Sequence, residues 1–134
     1  MFLEDKEIIT INRTAIVSQT LTMDVPAKGL EAQELQRTGL TLERYARYKR
    51  LLDSLGLAWG ISRDGETIYF AAELPSLLNR DSTKGYVYSP ATTMSPCVDN
   101  LDRYVPTTSN RNVKGGYIVF KTLQPHWFLY RAWE

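Results

Sequence analysis

The spacing of apolar residues changes character along this chain, and the changes mark its elements. Between Thr41 and Gly56, Leu42, Tyr45, Tyr48, Leu52 and Leu55 recur at steps of three and four. That spacing draws one apolar stripe down a helix. Thr41 is placed to cap it, Glu43 falls in its first turn and Gly56 follows its last, so the pattern predicts a helix over 41–55.

Beyond Gly56 the period shortens to two. The run from Ala58 to Glu73 reads as two strands joined through Asp64-Gly65, a strong hairpin signal. Ile68, Phe70 and Ala72 share one face of the second strand, and Thr67, Tyr69 and Ala71 the other. Residues 85–89 form a short strand with Tyr86 and Tyr88 on one side. The last stretch, from Gly116, is a second hairpin turning at Gln124-Pro125. There Trp127, Leu129, Arg131 and Trp133 face one way, and Phe128, Tyr130 and Ala132 the other. Residues 74–85 read as a loop with at most one helical turn. Residues 89–115 form a long loop with a helical turn near Val98–Tyr104; loops of that length are often functional.

The first forty residues carry weaker signals. Glu7–Ile11 and Ile16–Met23 are rich in β-branched residues, and Val17, Gln19, Leu21 and Met23 alternate with polar neighbours, as in a strand. Asp24 as a cap, Pro26 in a first turn and Gly39 as a stop predict a short helix over about 27–37. The expected architecture is a single α+β domain over 1–134. A mostly antiparallel sheet of about five strands occupies the C-terminal two-thirds, the 41–55 helix packs on one face, and the two hairpins flank the 85–89 strand.

Composition narrows the function classes. At 134 residues, 43% hydrophobic and 23% charged, the chain is long enough to bury a core without metals or disulfides. The net charge of +1 argues against a polybasic nucleic-acid binder. One cysteine, Cys97, allows no intrachain disulfide and favours a reducing cytoplasm, or the periplasm if a leader was removed. No apolar run reaches the ~20 residues of a membrane span, and the acidic start does not resemble a signal peptide.

Candidate chemistry is sparse. His126 is the sole histidine, so every histidine mechanism passes through it. Ser89 or Cys97 could supply a nucleophile and Asp99 or Asp102 an orienting carboxylate, but no motif selects them, and a polar residue is expected beside a hairpin turn anyway. Glu66, Glu73, Asp99 and Asp102 could form a carboxylate pair only by meeting across a cleft. No zinc, EF-hand or phosphate-loop pattern is present, so no metal or cofactor is expected.

Arg44, Arg47 and Arg50 share a helix face that could follow phosphates. A solvated face explains them better, and heparin retention at low salt separates the two readings. Tyr86, Tyr88, Trp127 and Trp133 can gather on one sheet face. If the helix covers that face it is core; if part is open, these aromatics, with Arg44 and Arg47, suit a protein interface. The aromatic tail itself is read as scaffold that closes the sheet.

Lys84-Gly85-Tyr86-Val87-Tyr88, Leu101-Asp102-Arg103-Tyr104 and Trp127-Phe128-Leu129-Tyr130 resemble, in order and spacing, segments of a group of small uncharacterised bacterial proteins, some of them lipoproteins. The likeness spans about 42–131. It implies a shared α+β fold and a bacterial source, and brings no activity. The chain shows neither the leader nor the lipid-acceptor cysteine of the lipoprotein members, so anchoring is not carried over. The sequence thus favours a soluble, non-enzymatic protein-binding domain, of inhibitor or immunity type. A small hydrolase or nuclease using His126, and a structural envelope protein, are the alternatives.

Overall fold

The computed structural model describes residues 2–26, 28–57, 59–73, 82–102 and 117–133. Strands β1 (Ile8–Ile11), β2 (Ala15–Ser18) and β3 (Thr22–Asp24) come first. Helices α1 (Ala32–Gln36) and α2 (Leu42–Ser54) follow, then β4 (Gly60–Asp64), β5 (Thr67–Glu73), β6 (Ser82–Tyr88), β7 (Tyr117–Gln124) and β8 (Trp127–Trp133). The strands form one sheet in the order β3-β2-β1-β4-β5-β6-β8-β7. Every neighbouring pair is antiparallel.

The expected sheet of about five strands with one main helix is therefore wrong. Among the described residues there are eight strands and two short helices, and the fold is α+β but dominated by its sheet. The surplus comes from the first forty residues, whose β1, β2 and β3 join the hairpins through Thr10↔Ser62 and Ile11↔Ile61. These strands are three or four residues long, too short for alternation to declare itself.

Side-chain turns cut them apart. Asn12 Oδ1 accepts from the N–H groups of Thr14 (2.9 Å) and Ala15 (2.8 Å), turning β1 into β2. Ser18 Oγ accepts from Thr20 and Leu21 and turns β2 into β3. The apparent alternation from Val17 to Met23 runs across that second turn.

The helices are shorter than their signals. α1 starts after Glu31, not near Asp24, which belongs to β3. Gly39 ends that region at φ +83°. In α2 the Thr41 hydroxyl accepts from Arg44 N at 3.1 Å, as a cap should. Tyr45, Tyr48 and Leu52 are buried, whereas Leu42 and Leu55 at the ends of the stripe are exposed.

Two apolar cores lie on opposite faces of the sheet. Paired positions share a face, so Ile16, Ile11, Ile61 and Phe70 line up across four strands. Together with Ile68 they meet Tyr45, Tyr48 and Leu52 of α2 and Leu35 of α1. Tyr69, Val87, Phe128 and Thr122 line up on the reverse face. There Val87, Phe120, Phe128 and Tyr130 form the second core, with Met94 packed against it.

Residues 89–102 wrap from one face to the other. After Met94, Phe120 N donates to Pro96 O (3.0 Å) and Val98 N to Phe120 O (2.7 Å), so this segment borders β7 at Phe120. Leu101 O then accepts from Arg131 on the helix-side face. An Asx turn forms there, Asp102 N donating to Asn100 Oδ1 at 3.0 Å. Of the loop expected at 74–85, residues 82–85 are the start of β6, which begins three residues before the expected strand, and 74–81 lie outside the described residues, as does the second half of the long loop, 103–115.

Candidate functional site

Each half of the sheet buries one face, and the changeover leaves a stretch of helix-side face over β5, β6 and β8 between two walls. One wall is α2 with Phe2 and Leu3; the other is Asn100–Asp102. The floor is set by register: Phe70 faces Tyr86, Tyr86 faces Leu129, and Tyr88 faces Trp127. Tyr86 is 45% exposed, unusual for a tyrosine in the middle of an interior strand. The floor residues hold one another: the Trp127 ring lies 5.8 Å from that of Phe70 and 5.2 Å from that of Tyr88.

Two hollows open on this floor. One, of about 380 Å³, lies against Asn100–Asp102 and is floored by Ala72, Tyr86 and Leu129. The Lys84 ammonium pairs with the Asp102 carboxylate at its rim, and that bond holds Asp102 below the usual carboxylate range. The other, of about 330 Å³, lies beneath the C-terminal half of α2 and is almost wholly apolar.

Of the aromatics expected to gather, Tyr86, Tyr88 and Trp127 do line these hollows. Trp133 shares the face but lies under the Arg131 guanidinium, 4.7 Å from the ring centre, and lines neither. Arg44 is drawn away: it bonds Asp5 through Nε (2.8 Å) and Glu4 through Nη2 (2.8 Å), holding the Glu4 carboxyl below its ordinary value. Tyr48 donates to the same Asp5 oxygen, and burial with that bond raises its phenol far above the usual range. Arg47 is exposed on α2 and lines neither hollow.

His126 is a turn residue. It follows Pro125 at φ +70°, the pattern of a type II turn. Its Nδ1–H donates to Ser89 O at 2.9 Å, and Ser89 N donates to His126 O at 2.9 Å. The imidazole thus extends the β6–β8 ladder by one rung, and its partner is a main-chain carbonyl, not a hydroxyl or a carboxylate. Ser89 Oγ accepts from Ala91 N (3.2 Å), and the Cys97 thiol is exposed, 3.5 Å from Thr122 Oγ1. Among the described residues no three His, Cys, Asp or Glu side chains converge to hold a metal. No helix among them is long and apolar enough to cross a membrane.

Sequence reasoning passed over Phe2, Leu3, Lys6 and Arg63, which line the apolar hollow or the one adjoining it. Arg63 reads as a polar residue beside a turn. Its place two residues after Ile61 was the available signal, since it puts Arg63 on the helix-side face. No protein-family model, no curated protein and no solved structure matches this chain significantly.

Proposed function

We propose that this chain is a non-enzymatic binding domain that receives another protein on the aromatic floor between α2 and Asn100–Asp102. The single observation that carries the reading is the exposure of Tyr86 amid Phe70, Trp127 and Leu129 on a face held rigid by three antiparallel strands. Tyrosine and tryptophan supply large contact area at little entropic cost, and they dominate interface hot spots. The walls give the patch a concave form, and the Lys84–Asp102 pair gives it a polar rim. The placement of His126 also favours binding over hydrolysis, since its ring is bonded into a hairpin end.

The test is capture from a lysate of the producing cells with three baits: the wild-type chain, Tyr86→Ala and Leu129→Asp. The reading expects one partner retained stoichiometrically by the wild type and lost from both variants while their circular dichroism stays native. A wild-type bait that retains no partner contradicts it, as does a partner held equally by all three.

A further inference from the structure

We infer that the apolar hollow beneath α2 binds the hydrocarbon chain of a medium-chain fatty acid, with its carboxylate at Arg63 and Lys6. This inference goes beyond the protein-binding reading: it shares Phe70 and Trp127 with that floor but rests on the other hollow and its charged end.

The hollow of about 330 Å³ is lined by aliphatic and aromatic side chains, Leu51, Leu55, Ile61, Ile68, Phe70 and Trp127 among them. The polar side-chain groups of its lining residues are the hydroxyls of Tyr48 and Tyr88 and the indole N–H of Trp127, and the first is already given to Asp5. The main chain beneath is a sheet interior whose N–H and C=O groups are spent on β4–β5, β5–β6 and β6–β8 pairing. A peptide laid there would have unsatisfied amides, which are costly to bury, whereas an alkyl chain would have none.

One end of the hollow is charged. An adjoining space of about 280 Å³ shares Leu3, Ile68 and Tyr88 with it and is bordered by Arg63, Lys6 and one acid, Glu66. Arg63 stands over the Phe2 ring, 4.9 Å from its centre, and donates from Nη2 to the Phe2 carbonyl. Its Nε is buried and has no hydrogen-bond partner among the described residues. The ion pairs of those residues engage Arg13, Arg44 and Lys84, and neither Arg63 nor Lys6. A half-buried guanidinium that makes no ion pair among the described residues, at the end of an apolar groove, is complementary to a carboxylate on an apolar chain.

The experiment titrates the full chain by calorimetry with dodecanoate below its micelle concentration. Dodecanol and dodecyltrimethylammonium serve as ligands with the same chain and a different head. Wild type is expected to bind one dodecanoate saturably, at least tenfold tighter than dodecanol, with no binding of the cation. Arg63→Gln is expected to bring dodecanoate down to the dodecanol level, and Lys6→Gln, at an exposed site, to weaken it severalfold. Leu55→Asp on the rim should abolish both, and Tyr86→Ala should leave dodecanoate unchanged even where it abolishes partner capture. Equal binding of dodecanoate and dodecanol, dodecanoate binding unaltered in both folded cation variants, or no saturable binding by wild type would overturn the assignment.

Discussion

Arg44 and Asp5, thirty-nine positions apart, join the start of the chain to α2: Arg44 Nε lies 2.8 Å from Asp5 Oδ2, and Tyr48, one turn further along the helix, donates to that same oxygen. Residues 2–7 therefore cap the core through a carboxylate that Arg44 and Tyr48 hold, and with them Phe2 and Leu3 are placed at the apolar hollow. Asp5→Ala strands the buried Tyr48 hydroxyl, which should cost about 1–3 kcal/mol in urea unfolding. Tyr48→Phe, which leaves Asp5 its arginine, should cost about 1 kcal/mol. Equal losses in the two variants would show that the hydroxyl's desolvation is not the cause.

Two glycines are set by steric contact. A Cβ on Gly85 would lie 2.0 Å from Phe70 O, and one on Gly60, at φ +93°, would lie 2.2 Å from Ile11 O. In each case the obstacle is main chain of the neighbouring strand, which cannot yield without breaking the ladder. Gly85→Ala should thus cost more than about 3 kcal/mol, enough to abolish cooperative thermal unfolding. Gly65→Ala, at φ +60° in open space, should cost only about 1–2 kcal/mol. Similar melting temperatures for the two would contradict the close approach.

Alkali should weaken the second core. Burial pushes the Tyr130 phenol up to about 12, and neighbouring Tyr69 is raised as well, chiefly by burial. An unfolded tyrosine loses its proton near pH 10. Between roughly pH 10 and 12 the unfolded chain therefore binds fewer protons than the folded one, and stability falls as pH rises. Below pH 10 this contribution is fully present. Tyr130→Phe should flatten that fall in a denaturation series from pH 9 to 12; an unchanged slope would place the titration elsewhere.

The imidazole of His126 should prove structural. His126→Asn, which tolerates positive φ, should keep the turn and lose about 1 kcal/mol with the Ser89 bond. His126→Ala should lose more, because it also places a Cβ residue in the left-handed region. Heteronuclear NMR of the wild type should find the proton on Nδ1. A proton on Nε2 would contradict the bond to Ser89 O.

The parts legible from sequence were those with strong local grammar. Thr41 and Gly56 bound α2, Asp64-Gly65 turns β4 into β5, and Pro125 sits in the last turn. The N-terminal strands were legible only as β-rich stretches and not as three strands of the sheet, since their ends are set by turn side chains, Asn12 and Ser18, and their place in the sheet by the pairing of β1 with distant β4. The alternation of Trp127 and Leu129 against Phe128 and Tyr130 was readable. Which of those faces would be covered was not, because that depends on residues 89–102 passing round β7. Arg63 was missed for the same reason: its significance comes from Phe2, sixty-one residues away.

An open floor between α2 and Asn100–Asp102 is what a partner would need. Carbene footprinting of the full chain, read residue by residue by mass spectrometry, tests it directly. Tyr86 should be modified at a rate comparable with exposed Leu123 and Trp59, with Leu129 and Trp127 intermediate, while Val87 and Phe128 stay protected. Protection of Tyr86 equal to that of Val87 would mean the floor is closed, and would contradict the central claim.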